Sequence, residues 1–130
     1  MASGIKTGIA DSGWIEATLG SNFNLYNSNN PVRYRKIGNI VNIVGIVSPK
    51  SALTINADNR FTIMTLPDGF RPKQIVSQIC QGSTQYVWLL QVSAASGNVV
   101  LGRYRMTNAS SYTNCPSGAW LPFNVVFEVE

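Results

Sequence analysis

Apolar and polar positions alternate along most of this chain. Turn-forming residues recur about every eight to twelve positions, the spacing of an all-β sandwich or barrel. No window sustains apolar residues at i, i+3, i+4 and i+7 beside good helix formers, so no amphipathic helix is expected. The pattern predicts strands over Trp14 to Leu19, Tyr34 to Ile37, residues 40 to 48, and Phe61 to Leu66. Further strands are predicted over Lys73 to Gln81, Gln85 to Ser93, Val99 to Met106, and the closing stretch AWLPFNVVFEVE. Between the first two lies GSNFNLYNSNNP, which reads as a polar loop. Gly38-Asn39 fits a tight turn, and SAASGN fits a hairpin loop. Eight or nine strands without an internal repeat predict an antiparallel β-sandwich of jelly-roll type.

Two of these strands carry information beyond their existence. In the last, Leu121, Phe123, Val125, Phe127 and Val129 alternate with more polar neighbours, the pattern of a strand with one face in the core. In IVNIVGIVS the alternation fails, because Ile40, Val44 and Ile46 share one face and Val41, Ile43 and Val47 the other. A strand open to water on one side would alternate with polar residues. This one should be covered twice, once by the core and once by a partner, for which an identical chain is the simplest candidate.

The segment TLPDGFRP, residues 65 to 72, is dense with turn formers. Pro67 ends sheet pairing, Gly69 supplies a positive φ, and Pro72 holds Arg71 extended. Phe70 is expected to tuck back as an anchor. The segment therefore reads as a corner between two strands, not as an active site.

Composition narrows the functional classes. The 130 residues suffice for one domain. The sequence is 45% hydrophobic and only 12% charged, about half the usual charged fraction, so Asn, Ser, Thr and Gln must supply the solubility. Such a surface suits extracellular or virion proteins and sugar binders, and equally any stable β-protein. The net charge of +4 is not gathered into a long run. Arg33 and Arg35 in VRYRKIG have alternate spacing, as do Arg103 and Arg105 in GRYRM, so each pair should share a strand face. No nucleic-acid module accompanies them, and nucleic acid is not an expected partner. No apolar run is long enough for a transmembrane helix, and no membrane insertion is expected. Residues 1–12 read as a polar lead-in or linker remnant, and 13–130 as the folded domain.

Catalytic parts are scarce. There is no histidine, which removes the Ser-His-Asp, Cys-His and His-metal arrangements. Cys80 and Cys115 are too far apart in sequence for a CxxC pair and read as buried free thiols, with a disulfide between them as the alternative. Asp58 and Asp68 are the only carboxylate pair worth weighing for glycoside hydrolysis, and both fit turns instead. Asn108-Ala109-Ser110 matches the N-glycosylation triplet, a short pattern common by chance. No phosphate loop or dinucleotide fingerprint occurs, so neither an enzyme nor a cofactor or metal site is expected.

A binding surface remains. Trp14 begins a strand and reads as core, with an interface anchor as the alternative. Trp120 has the parity of the outward face of the last strand. Trp88 shares a face with Tyr86 and Leu90, and a simple hairpin register would bring it near Arg103 or Arg105 beside Tyr104. A guanidinium on a tryptophan keeps donors for a hydroxyl or phosphate. The alternative places Trp88 in the core and the arginines in solvent.

The order WIEATLGSNF, RYRKIGNIVNIVGIVS, TLPDGFRPK, SGNVVLG and GAWLPFNVVFEV resembles the C-terminal head domains of bacteriophage tail fibres and receptor-binding proteins. The nearest likeness is to siphophages of Gram-positive, lactococcal-type hosts. The resemblance covers about residues 13 to 130 and is strongest at the strand followed by LPDGFRP. It implies a homotrimeric β-sandwich head at the distal tail or baseplate of the virion, made in the host cytoplasm. Such a head would contact other tail or baseplate proteins and bind host cell-wall polysaccharide or teichoic acid. Saccharide sites in these heads lie near subunit junctions and use aromatic, Arg, Asp and often His side chains. Here that implies Tyr86, Trp88, Arg103, Tyr104, Arg105 and Asp58, and the missing histidine departs from the pattern. A trimeric structural component of the tail with no ligand is the alternative.

Overall fold

The computed structural model describes residues 9–129, and most of the expected lead-in, residues 1–8, lies outside them. The described residues contain nine strands and no helix. These are β1 (Ile15–Glu16), β2 (Phe23–Leu25), β3 (Arg33–Ile37), β4 (Ile40–Pro49), β5 (Phe61–Thr65), β6 (Val76–Gln81), β7 (Tyr86–Val92), β8 (Asn98–Met106) and β9 (Leu121–Glu128). All pairings are antiparallel. Sheet A holds β1, β3, β4, β2 and β9; sheet B holds β5, β8, β7 and β6 in that order. The second order is a Greek key, with β6, β7 and β8 as a meander and β5 returning beside β8. The fold is all-β and sandwich-like.

The alternation in β9 assigns its inner face correctly, and the residues that share a face in β4 and β7 do so in the structure. Val41, Ile43 and Val47 of β4 are fully buried, as are Trp88, Leu90 and Val92 of β7. Leu121, Phe123, Val125 and Phe127 of β9, beside β4 in sheet A, continue the same inner face. The two sheets meet where Trp88 and Phe123 pack edge to face, with centroids 6.1 Å apart. Such a pair adds roughly 0.5–1.5 kcal/mol beyond its buried area. Cys80 and Cys115 are buried free thiols, as expected. Burial pushes the Cys115 thiol up to about 12.

Three expectations need correction. The loop after β1 contains a strand, β2, because Phe23 drops into the core and draws the chain onto the end of β4. Apart from Phe23 its residues are polar or exposed, so no periodic signal marks it. The boundary at residue 12 also moves. Ser12 donates its N–H to Lys36, and Ala10 accepts from Gly38, so residues 10–12 already belong to the edge of sheet A. Third, Trp14 is not core; it is 40% exposed on the outside of that sheet.

The corner at TLPDGFRP forms as its residues dictate. The Phe70 N–H donates to Pro67, closing the turn at 3.1 Å. Phe70 then packs on Tyr34 of β3 at 5.3 Å between ring centroids. Lys36 donates to the Gly69 carbonyl at 2.6 Å. Arg71 fastens the other side, donating to Leu66 and to Ala95 in the 93–97 hairpin loop. The corner thus ties β3 of sheet A to the β7–β8 hairpin of sheet B.

Gly69 sits at φ +88°, and a Cβ there would meet only Lys36 Nζ, at an ordinary 3.8 Å, so a side chain meets backbone strain and no Cβ clash. Gly69→Val should therefore lower stability by about 1–2 kcal/mol, the usual penalty for an L-residue held left-handed. Thermal unfolding checks this, and an unchanged midpoint would remove the corner from the account of stability.

Candidate functional site

The six residues expected to form a binding surface do not come together. Trp88 is 0% exposed, and its indole N–H donates to the Gln81 carbonyl at 3.0 Å. Tyr104 is also buried, stacked on half-buried Tyr86 with the rings 4.9 Å apart. Burial pushes the Tyr104 phenol up to about 12, and its hydroxyl has no hydrogen-bond partner. These three aromatics are core or core-lining, and Trp88 in particular cannot stack on a ligand.

The reason is a one-residue bulge. Val87 pairs with Arg105 and Leu89 with Gly102, so Trp88 faces two residues, Arg103 and Tyr104. Arg103 takes φ +53°, which advances the parity of β8 by one and turns Tyr104 inward. Arg103 and Arg105 are left on the face opposite to Trp88. Arg103 there donates to the Ala57 carbonyl at 3.3 Å, holding the loop whose tip carries exposed Asp58. Its role is to clamp a loop. Trp120, expected outside the last strand, is half-buried just before β9, where its N–H donates to Ser83.

A tryptophan flanked by arginines does occur, on the outer face of sheet A. Arg33 and Arg35 of β3 share that face, as their spacing predicts. The Arg33 guanidinium lies 4.6 Å from the Trp14 ring centroid, and that of Arg35 5.7 Å. Cation–π contact at an exposed site contributes roughly 0.5–1 kcal/mol. Asp11 completes the cluster, accepting from Arg35 Nε at 3.0 Å and from a terminal guanidinium nitrogen at 2.5 Å.

A second bulge makes this cluster. Asp11 pairs with Ile37 and Ile15 with Tyr34, so four steps on one strand match three on the other. The extra residue lies at Ser12-Gly13, where Gly13 has φ +70° and donates its N–H to Asp11 Oδ1. Without it, Asp11 and Trp14 would point to opposite faces. With it, both stand over the arginines. Sequence parity missed Trp14 as a surface residue because GWI shows no such shift; the glycine before it was the available signal.

The rest of this face carries two carboxylates, Glu16 across from Arg33 and Glu128 across from Ile40, and is otherwise neutral. Asn42 and Asn124 bond side chain to side chain at 2.7 Å across β4 and β9. Ile37, Ile40 and Val126 are exposed, Val126 by 60%. One exposed apolar residue from each of β3, β4 and β9 thus stands at this end of the face, while Val44 and Ile46 farther along β4 are half-buried. Among the described residues, no group of three or more Cys, Asp or Glu side chains is placed to hold a metal ion.

The Arg35 hydrogen bonds, reinforced by the Gly13 N–H, hold the Asp11 carboxyl down at about 2. A carboxyl depressed from 3.8 adds its contribution above that value and loses it as the pH falls through about 2. NMR titration of the Asp11 side-chain carbon should thus give a midpoint near 2, and Arg35→Gln should return it toward the ordinary carboxylate range. An ordinary midpoint in the unmutated chain would mean that the ion pair is not held in solution.

The chain matches no protein-family model and no curated protein.

Proposed function

We propose that this chain is the receptor-binding head of a bacteriophage tail and that it adsorbs to saccharides of the host cell wall. The ordered motifs of the sequence support the head reading. The observation that carries the binding reading is the partly exposed Trp14 ring with the guanidinium groups of Arg33 and Arg35 against it. An indole face suits the C–H surface of a sugar ring, and guanidinium donors suit its hydroxyls or a phosphate. The modest positive charge adds long-range attraction to anionic wall polymers, which salt weakens.

The same reading makes the head a homotrimer of jelly-roll type, carried at the distal tail or baseplate beside other tail proteins. The Greek-key order of sheet B supports the jelly-roll assignment. The exposed row of Ile37, Ile40 and Val126 supports self-association, since apolar surface of this kind marks an interface. That apolar row also favours a second reading, a trimeric structural part of the tail with no ligand.

Adsorption to isolated Gram-positive cell walls separates the two readings. Trp14→Ala should weaken adsorption by about ten- to thirtyfold, the loss usual for an exposed aromatic anchor. Its thermal midpoint should stay close to that of the unmutated chain. Absence of adsorption to any wall tested would favour the structural reading. Light scattering at micromolar concentration should give three times the chain mass, and Ile40→Glu should reduce it. A monomer in the unmutated chain would overturn the trimer.

A further inference from the structure

A strand at the edge of a sheet leaves backbone N–H and C=O groups unpaired, and folded proteins blunt such edges. Most edges of this molecule are blunted. β1 and β2 are only two and three residues long. On the open side of β9, Pro122 has no N–H, the Asn124 carbonyl accepts from the Gln78 side chain, and the Glu128 carbonyl accepts from the Lys73 N–H. At β5, Gly20 donates its N–H to the Ile63 carbonyl at 2.7 Å, and it lies so close to the Thr62 carbonyl that no Cβ would fit. The segment after β1 therefore covers that edge.

β6 is the exception. It borders β7 alone, in unbroken register, and its six residues include no charge and no proline. Gly82 donates to the Tyr86 carbonyl at 2.7 Å where β6 turns into β7. Bonded pairs alternate along an antiparallel ladder, so Val76, Gln78 and Cys80 bond to β7. Ser77 and Ile79 then turn their N–H and C=O groups away from it. No loop or side chain of the described residues takes up these groups. Ile79 is 58% exposed, and Ile75, on the same face just before the strand, is 61% exposed. Space lies open along the whole edge, with a cavity of about 460 Å³ beside residues 78–81 and one of about 340 Å³ beside residues 74–76. The larger has an apolar floor of Val44, Ile46 and Pro122, and Arg33 alone is charged among the described residues lining it. Arg33 makes no ion pair among the described residues.

We propose that β6 is a docking edge for an extended segment of another polypeptide, which joins the four-stranded sheet B as a further strand antiparallel to β6. The backbone groups of Ser77 and Ile79 hold it, and the side chains select it. The fitting segment alternates apolar residues, which pack on Ile75 and Ile79. It carries a carboxylate near its N-terminal end, which lies beside Gln81, enters the larger cavity and meets Arg33. Charge complementarity favours such a segment over a second copy of this chain, because β6 is uncharged and would bring Arg33 no carboxylate. The inference goes beyond the saccharide-binding reading and does not rest on it.

The test is amide hydrogen exchange and NMR titration of the whole chain with synthetic peptides of about eight residues that alternate Val and Thr. One peptide has Glu near its N-terminal end, a second has Gln in that place, and a third has Pro at its centre. Without peptide, the amides of Val76, Gln78 and Cys80 should exchange slowly and those of Ser77 and Ile79 fast. The Glu peptide at saturation should slow Ser77 and Ile79 by at least about tenfold. The Gln peptide should bind about twofold to fivefold more weakly, the range for a partly exposed ion pair, and Arg33→Gln should erase that difference. Methylating the peptide nitrogens that face β6 should abolish binding, whereas methylating the alternate set should not. Ile79→Lys should also abolish binding and leave the thermal midpoint in place. Equal binding of the Pro peptide, no protection with any peptide, or no difference between Glu and Gln would each overturn the proposal. Protection of Ser77 and Ile79 in the chain alone, lost on dilution, would overturn it in favour of a second copy at this edge.

Discussion

Strand β4 is the constraint on which the rest of the molecule depends. It pairs with β3 and β2 on one side and with β9 along eight residues on the other. Its inner row, Val41, Ile43 and Val47, is fully buried against sheet B. Because the side-chain period of a strand is two, that burial forces Ile40, Asn42, Val44 and Ile46 outward. The strand cannot slip by one residue without exchanging one apolar row for another that carries Asn42. The outer face of sheet A thus follows from how the core is filled.

That face is also where the candidate chemistry collects. β3 brings Arg33 and Arg35 to it through its register with β4, and β9 brings Pro122 and Asn124. The edge segment before β1 adds Asp11 and Trp14 through the Gly13 bulge. The face combines one aromatic ring, one paired guanidinium, one guanidinium without an ion pair, the carboxylates of Glu16 and Glu128, and neutral amides and aliphatics. Sheet B has spent its polar groups differently. Arg60 donates to Gln91, Gln91 donates to Ser77, and Arg103 holds the 57–60 loop, so these groups fasten the surface to itself.

The two bulges decide which tryptophan is offered to solvent. At Arg103 the extra residue turns Tyr104 inward and leaves the arginines opposite to Trp88. At Gly13 it turns Asp11 and Trp14 to the same side. Each inverts the parity of everything beyond it at little energetic expense, since bulges occur readily at sheet edges and rims. An arginine–tryptophan cluster was anticipated at β7–β8 and stands instead at β1–β3, because the local pattern GWIE and the local pattern YVWLL look alike until pairing is known.

Much of the architecture was legible in the residues alone. The all-β class, the inner face of β9, both rows of β4, the shared face of Arg33 and Arg35, the buried thiols and the TLPDGFRP corner all follow from periodicity and turn chemistry. Strand β2 was not legible, since three residues with one buried phenylalanine carry no period. Nor was the location of the site. Periodicity reports which residues of one strand share a face, because that depends only on local geometry. Which face meets the core, and where an extra residue shifts the register, depends on partner strands distant in sequence. Only the tertiary structure could decide that Trp88 is sealed against Phe123 while Trp14 stands partly exposed with two arginines against it.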